Sequence, residues 1–170
     1  MWVFGYGSLM WDDWHTEFGG KPVKARLPDF RRRFNKASVK NWGTKTAPGP
    51  TLNIEGKNEA SCVGMAFLFT DDKQSEILTY LQRREGKSFG MEEYPIVLQD
   101  GSHVTAFVPF YRGPNILDAS VEQLVEMALQ ATGTSGRCSD YVQNIDRELA
   151  SHGIDDEEVQ RFAALLLERL

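Results

Sequence analysis

Few side chains in this sequence are placed to do chemistry, and Glu85 is the first. It closes a helical stretch, directly after Arg83 and Arg84. A carboxylate is disfavoured at a helix C-terminus, because the last carbonyls make that end electronegative. If it is also buried, its proton affinity rises toward the range useful for acid–base work. The two arginines pull the other way, and an ordinary solvated carboxylate remains the alternative. A second candidate is the opening stretch M-W-V-F-G-Y-G-S-L-M-W, in which Gly5 and Gly7 bracket Tyr6. A strand that breaks into a turn over Tyr6, Gly7, Ser8 and Leu9 can aim several backbone N–H groups at one point, as an anion nest does. A plain strand and turn is the alternative here. Met10 stands where a dinucleotide fingerprint needs its third glycine. Tyr6 and Met10 stand where a nucleophile elbow around Ser8 needs glycines. Ser8 therefore reads as a binding hydroxyl, not a nucleophile. Third, Arg31, Arg32 and Arg33 lie between Phe30 and Phe34. In an extended chain Arg31 and Arg33 share one face and Arg32 takes the other. Either face could meet a carboxylate, or could be a solvated strand edge.

Other chemistries find no support. The sequence has no H-E-x-x-H, no P-loop and no Cys/His spacing of a metal site. His15, His103 and His152 lack Ser or Cys partners for a triad. Net charge is −5 and the sequence pI about 5.2, which argues against a nucleic-acid or membrane-surface role. Cys62 and Cys138 are too few for a disulfide framework. With no targeting segment in W-V-F-G-Y and no long apolar run, a cytoplasmic location is expected. A glycine turn, an arginine cluster and one oddly placed Glu favour a small anionic ligand and simple proton transfer.

The elements that must position these residues come in a clear order. Strands are expected at Val3–Tyr6, Val23–Leu27, Thr51–Ile54, Ser61–Phe69, Glu92–Leu98 and His103–Tyr111. Pro28 should interrupt the second, and Gly64 suggests a bulge. Residues 35–50 read as a long loop in which Trp42 is a lid or a core anchor. Asp71 with Gln74 forms a capping-box pair ahead of a helix bearing Ile77, Leu78 and Leu81, with Gly86 as its stop. Asp100-Gly101 signals a hairpin. From Ala119 the chain is helical: a Ser120/Gln123 capping box with Leu124, Val125, Ala128 and Leu129, then a donor-rich loop Gly133–Arg137. A helix with Val142, Ile145 and Leu149 follows, and a last one opens at Asp155 and carries Val159, Phe162, Leu165, Leu166 and Leu170. About six strands followed by three helices indicate one α+β domain over residues 1–170, with the sheet curled toward a barrel.

Five stretches, in order, resemble the γ-glutamylcyclotransferases, specifically their ChaC-like branch. V-F-G-Y-G-S-L-M-W is similar to the opening Y-G-S-L motif, and F-R-R-R-F at 30–34 to an arginine-aromatic strand. Y-L-Q-R-R-E at 80–85 resembles a segment whose final Glu is the family's catalytic residue. G-T-S-G-R-C-S-D-Y at 133–141 resembles its G-x-S-G-x-x-x-x-Y segment, and the closing E-R-L also matches. The resemblance implies a six-stranded, mostly antiparallel barrel with flanking helices. It implies release of 5-oxoproline from a γ-glutamyl compound, commonly glutathione, with Cys-Gly as co-product and no metal or organic cofactor. Glu85 would then shuttle the proton. Tyr6, Gly7, Ser8 and Leu9 would hold the γ-glutamyl carboxylate or the developing oxyanion, Tyr141 would offer its phenol, and Arg33 would balance charge. The partner would be the small substrate alone, with no nucleic acid or membrane, in a monomer or weak dimer. Residues 35–50 depart from the glycine-rich stretch of glutathione-acting members, so other γ-glutamyl peptides or amines are open; Arg83 beside Arg84 is a second, slight departure, since one Arg before the Glu is usual. A non-enzymatic anion-binding module of the same fold and a carboxylate-assisted hydrolase are the rival readings.

Overall fold

Strand β1 (Trp2–Gly5) is short, and the chain turns out of it at Tyr6. The computed structural model describes all 170 residues. Two very long strands follow, β2 (Lys21–Ser38) and β3 (Gly49–Leu68), then helix α1 (Gln74–Glu85), β4 (Phe89–Leu98) and β5 (His103–Tyr111). Helix α2 (Val121–Gln130), the short strands β6 (Thr132–Gly133) and β7 (Gly136–Arg137), and helices α3 (Cys138–Ser151) and α4 (Glu157–Leu167) complete the chain. The main sheet is a closed barrel in the order β1-β3-β2-β4-β5. β1 pairs antiparallel with β3, β2 with β4 and β4 with β5, whereas β1 and β5 run parallel at Val3 and Phe107.

The α+β class and the mostly antiparallel barrel with helices hold, but the barrel has five strands, not six. One strand is longer than expected, and two expected strands are one. Pro28 does not end its strand, and β2 runs through it with Asp29 in the left-handed region at φ 62°. Likewise Thr51–Ile54 and Ser61–Phe69 are one strand, continuous through the polar stretch 55–60, in which Glu59 has φ 64°. The Asp29 carboxylate accepts the Glu59 N–H at 3.0 Å, so the two left-handed residues support each other. The loop expected at 35–50 shrinks to 39–48, and the donor-rich segment 133–137 is a two-stranded hairpin.

The chain forms two compact units, Met1–Arg31 with Gly56–Gly113, and Arg32–Glu55 with Pro114–Leu170. In the first, Val3, Leu9, Trp14, Phe67, Phe69, Ile77 and Leu81 make the core that seats α1 on the strands. No side-chain cap starts α1. A 3-10 turn at Asp71–Lys73 precedes it in place of the expected box, and Gly86 ends it at φ 90° as expected. Gly64 has no left-handed backbone. It is needed because a Cβ there would lie 2.3 Å from the Gly5 carbonyl. The Asp100-Gly101 hairpin closes with the Leu98 N–H on the Ser102 carbonyl at 2.9 Å.

In the second unit the capping box of α2 is complete: Ser120 Oγ accepts from Gln123 N at 3.3 Å, and Gln123 Oε1 from Ser120 N at 2.9 Å. Most of the apolar stripes of α2, α3 and α4 is buried as the spacing requires, with Leu129 and Leu165 half-buried. Leu170 lies beyond α4 and is exposed. The cap of α4 is Asp156, one residue after the expected position. Arg32 is the fully buried arginine of the cluster, and its Nη1 meets Asp156 Oδ2 at 2.8 Å.

Candidate active site

The turn after β1 and the end of α1 belong to one unit, and its core sets their positions. Leu9 is buried beside Leu81 in the same cluster. Trp14 stacks on Tyr80 of α1 with 5.8 Å between ring centroids, and its indole N–H donates to the Leu9 carbonyl at 3.0 Å. Residues Ser8–Met10 form a single 3-10 turn closed by the Met10 N–H on the Gly7 carbonyl at 2.9 Å. The N–H groups of Ser8 and Leu9 precede that bond and have no acceptor inside the turn, the usual condition of a helix start.

The glycines act differently from the expectation. Neither Gly5 nor Gly7 has a positive φ. Gly5 is required by close approach, since a Cβ there would sit 2.9 Å from Leu9 Cβ. Tyr6 is buried and its phenol donates to the Pro109 carbonyl at 2.9 Å, which anchors the turn to β5. Leu9 spends its side chain on the core, so only its backbone can serve a ligand. Ser8 is exposed, and its carbonyl is engaged instead of its hydroxyl.

Glu85 lies at the end of α1 with its side chain only 14% exposed. Between it and the turn stands Arg84. The guanidinium donates to the Ser8 carbonyl at 3.0 Å and grips the Asp12 carboxylate through Nη2 to Oδ2 at 2.8 Å and Nη1 to Oδ1 at 3.2 Å. Its Nε lies 3.8 Å from Glu85 Oε1. Burial lowers the Arg84 pKa, but bonds to Asp12 and Tyr80 and the charges of Asp12 and Glu85 outweigh it, so the pKa is raised and the cation reinforced. Asp12 and the following Asp13 are both left-handed, at φ 72° and 52°. Aspartate tolerates that region better than most residues, but two in succession are uncommon. Sequence reasoning missed Asp12 altogether.

The other candidates lie in the second unit. The Tyr141 phenol accepts the Leu52 N–H at 3.1 Å, and its ring packs on Trp42 at 5.1 Å. Trp42 is thus a half-buried packing partner of Tyr141. Arg33 Nη1 lies 3.4 Å from Glu55 Oε1, Asn35 donates to Glu55 Oε2 at 3.3 Å, and Asn53 donates to Asn35 at 3.2 Å. Arg31 to Arg33 therefore divide as strand alternation requires, with Arg32 committed to the core. No three His, Cys, Asp or Glu side chains come together in a way that could hold a metal ion. No helix is long and apolar enough to cross a membrane.

Comparison with known proteins gives a consistent picture. The chain is similar to the protein named gamma-glutamylcyclotransferase 2-3 of Arabidopsis thaliana, 31% identical over 96% of this chain and 86% of the relative. It is also similar to the glutathione-specific gamma-glutamylcyclotransferase of Escherichia coli (strain K12), 27% identical over 92% of this chain and 68% of the relative. In fold it resembles the crystal structure of a yeast γ-glutamyl cyclotransferase specific to glutathione, with TM-score 0.85 and 16% identity, covering 99% of this chain and 96% of that one. A family model described as ChaC-like protein matches residues 1–169, and the chain belongs to that family.

Proposed function

We propose that this protein is a γ-glutamylcyclotransferase that cyclises the γ-glutamyl group of glutathione to 5-oxoproline and releases Cys-Gly. The observation that carries this reading is the juxtaposition of a shielded carboxylate, Glu85, with the Tyr6–Leu9 turn through the guanidinium of Arg84. The names of the relatives support it independently.

The reaction needs no nucleophile from the protein. The substrate's α-amine attacks its own γ-carbonyl, forming the ring C–N bond, and the C–N bond to cysteine breaks. One proton leaves the amine and one is delivered to the departing nitrogen, so a single carboxylate can take it and return it. Glu85 is assigned that part. Its low exposure supports the assignment, because a base shielded from water keeps the proton for the leaving group. The N–H groups of Ser8 and Leu9 are assigned to the γ-glutamyl carboxylate, and a held substrate is folded toward the near-attack shape that ring closure requires. Tyr6 and Gly7 shape the turn. For Arg33 and Tyr141 a substrate contact is supported by the sequence resemblance alone. The whole chain is taken as one functional domain, a reading supported by the family match across residues 1–169. Two free, buried thiols support a cytoplasmic setting.

A second reading concerns substrate breadth. The departure of residues 35–50 from the glycine-rich stretch of glutathione-acting members leaves γ-glutamyl amino acids or amines open beside glutathione. The test is release of 5-oxoproline from a panel of glutathione, γ-glutamyl amino acids and γ-glutamyl amines. Activity on glutathione supports the reading. Free glutamate in place of 5-oxoproline would replace it with a hydrolase, and no product from any compound would leave a binding module.

A further inference from the structure

We propose that Arg84, held by Asp12, is a positioning residue that locks the Ser8–Leu9 peptide and so aims the Leu9 N–H at the substrate carboxylate. The proposal rests on the assignment of the Tyr6–Leu9 turn given above.

The reasoning starts from one peptide unit. The Ser8 carbonyl and the Leu9 N–H share a planar trans peptide, so they point in opposite directions. Arg84 Nη2 donates to the Ser8 carbonyl at 3.0 Å, and the Leu9 N–H is thereby turned away from the guanidinium. The next carbonyl, that of Leu9, is fixed by the Trp14 indole at 3.0 Å. With Leu9 anchored in the core and the carbonyls on both sides held, the peptide has one orientation. A charged donor on the Ser8 carbonyl also polarises the peptide, which strengthens the Leu9 N–H as a donor.

Arg84 can do this only if it is itself fixed. Asp12 supplies two oxygens to two guanidinium nitrogens, the fork geometry that lysine cannot reproduce. The left-handed backbone of Asp12 and Asp13 is the local conformation in which that contact is made. Arg83, next in sequence, is exposed and takes no part in this network. The two arginines are therefore not equivalent, although sequence alone gives them the same place in the last turn.

The experiment compares Arg84→Gln, Arg84→Lys, Asp12→Asn and Arg83→Gln with wild type, by steady-state 5-oxoproline release and by the Leu9 amide resonance of 15N-labelled protein. A charge-assisted bond that orients a ground-state contact predicts KM raised about tenfold or more in Arg84→Gln, with kcat much less changed. Arg84→Lys should not rescue KM, Asp12→Asn should shift it in the same direction by less, and Arg83→Gln should match wild type. The Leu9 amide should move upfield in both Arg84 variants and stay in place in Arg83→Gln. Unchanged KM in Arg84→Gln, full rescue by lysine, or a loss confined to kcat would overturn the proposal. Should Arg84→Gln not fold, Asp12→Asn and Arg84→Lys carry the same readouts. Wild-type protein that releases no 5-oxoproline overturns the functional assignment instead. The Leu9 amide then decides the positioning by itself, and an unmoved resonance in the Arg84 variants refutes it.

Discussion

Replacing Glu85 with glutamine separates a catalytic carboxylate from a structural one. Glutamine keeps size and shape and removes only the base. The structural loss should be small, because glutamine keeps a side-chain oxygen to accept hydrogen bonds, the contact with Arg84 is long, at 3.8 Å, and Arg84 keeps its pair of bonds to Asp12. A partly exposed pair of this kind contributes at most about 1 kcal/mol. For a chain of this size that is a fall in Tm of roughly 2–4 °C. Catalysis should suffer far more. General acid–base catalysis contributes about 10² to 10⁴ in rate, or roughly 3–5 kcal/mol of barrier at 1.36 kcal/mol per tenfold. The loss should fall in the upper part of that range, since the neighbouring carboxylate, Asp12, has both oxygens on the Arg84 guanidinium and is poorly placed to substitute. The assay is 5-oxoproline release by folded Glu85→Gln protein, with substrate binding followed by calorimetry. Expected are retained binding, a small change in Tm and a kcat lower by about a thousandfold or more. Turnover within about tenfold of wild type would show that another group moves the proton, and the assignment of Glu85 would fall.

Three further perturbations probe the scaffold. Gly5→Ala puts a Cβ 2.9 Å from Leu9 Cβ, so the turn must shift, at a cost of about 1–3 kcal/mol in thermal denaturation, and KM should rise. Tyr6→Phe removes the buried bond to the Pro109 carbonyl and leaves that acceptor without this donor, which predicts a loss of about 1–2 kcal/mol by urea unfolding. Cys138, whose thiol donates to the Pro50 carbonyl at 3.2 Å, is pushed by burial from the ordinary 9.0 up to about 12, so iodoacetamide should not label it in folded protein near neutral pH. Because the folded protein holds that proton more tightly than the unfolded chain, the associated stability is complete below about pH 9 and is lost as pH rises toward about 12, at roughly 1.4 kcal/mol per pH unit. Urea midpoints that are flat across that interval would contradict the sign.

Much of the fold is legible in local patterns. The capping box at Ser120, the turn at Asp100-Gly101 and the helical stripes depend on residues close in sequence, and each appears where its spacing puts it. The strand count fails because strand continuity is not local. Pro28 and the polar run 55–60 look like breaks, yet the neighbouring strands of a closed barrel carry β2 and β3 across them. The left-handed residues at those places are Asp29 and Glu59, whereas Gly56, in the same polar run, has no positive φ, so glycine does not mark the bends. The hairpin β6–β7, with two residues per strand, is too short to give a period-2 signal.

The site is more legible than its elements suggest, because helical periodicity carries information beyond the apolar residues. Ile77 and Leu81 are fully buried on α1. Positions three and four residues past Leu81 continue that face, and they are Arg84 and Glu85. Arg83 falls off it and is exposed, whereas Arg84 and Glu85 are 19% and 14% exposed. A charged residue on a buried stripe must be paired or must have work to do. Applied to this helix, the rule separates Arg84 from Arg83 and lifts Glu85 out of the class of surface carboxylates without any relative for comparison. Asp12 is beyond its reach. The aspartate is 72 residues from Arg84, and no spacing connects a left-handed residue after one turn with a guanidinium at the end of a distant helix. Long-range charge pairing of this kind is set by the barrel that brings the two segments together, so the part of the site that rests on it appears only in the folded chain.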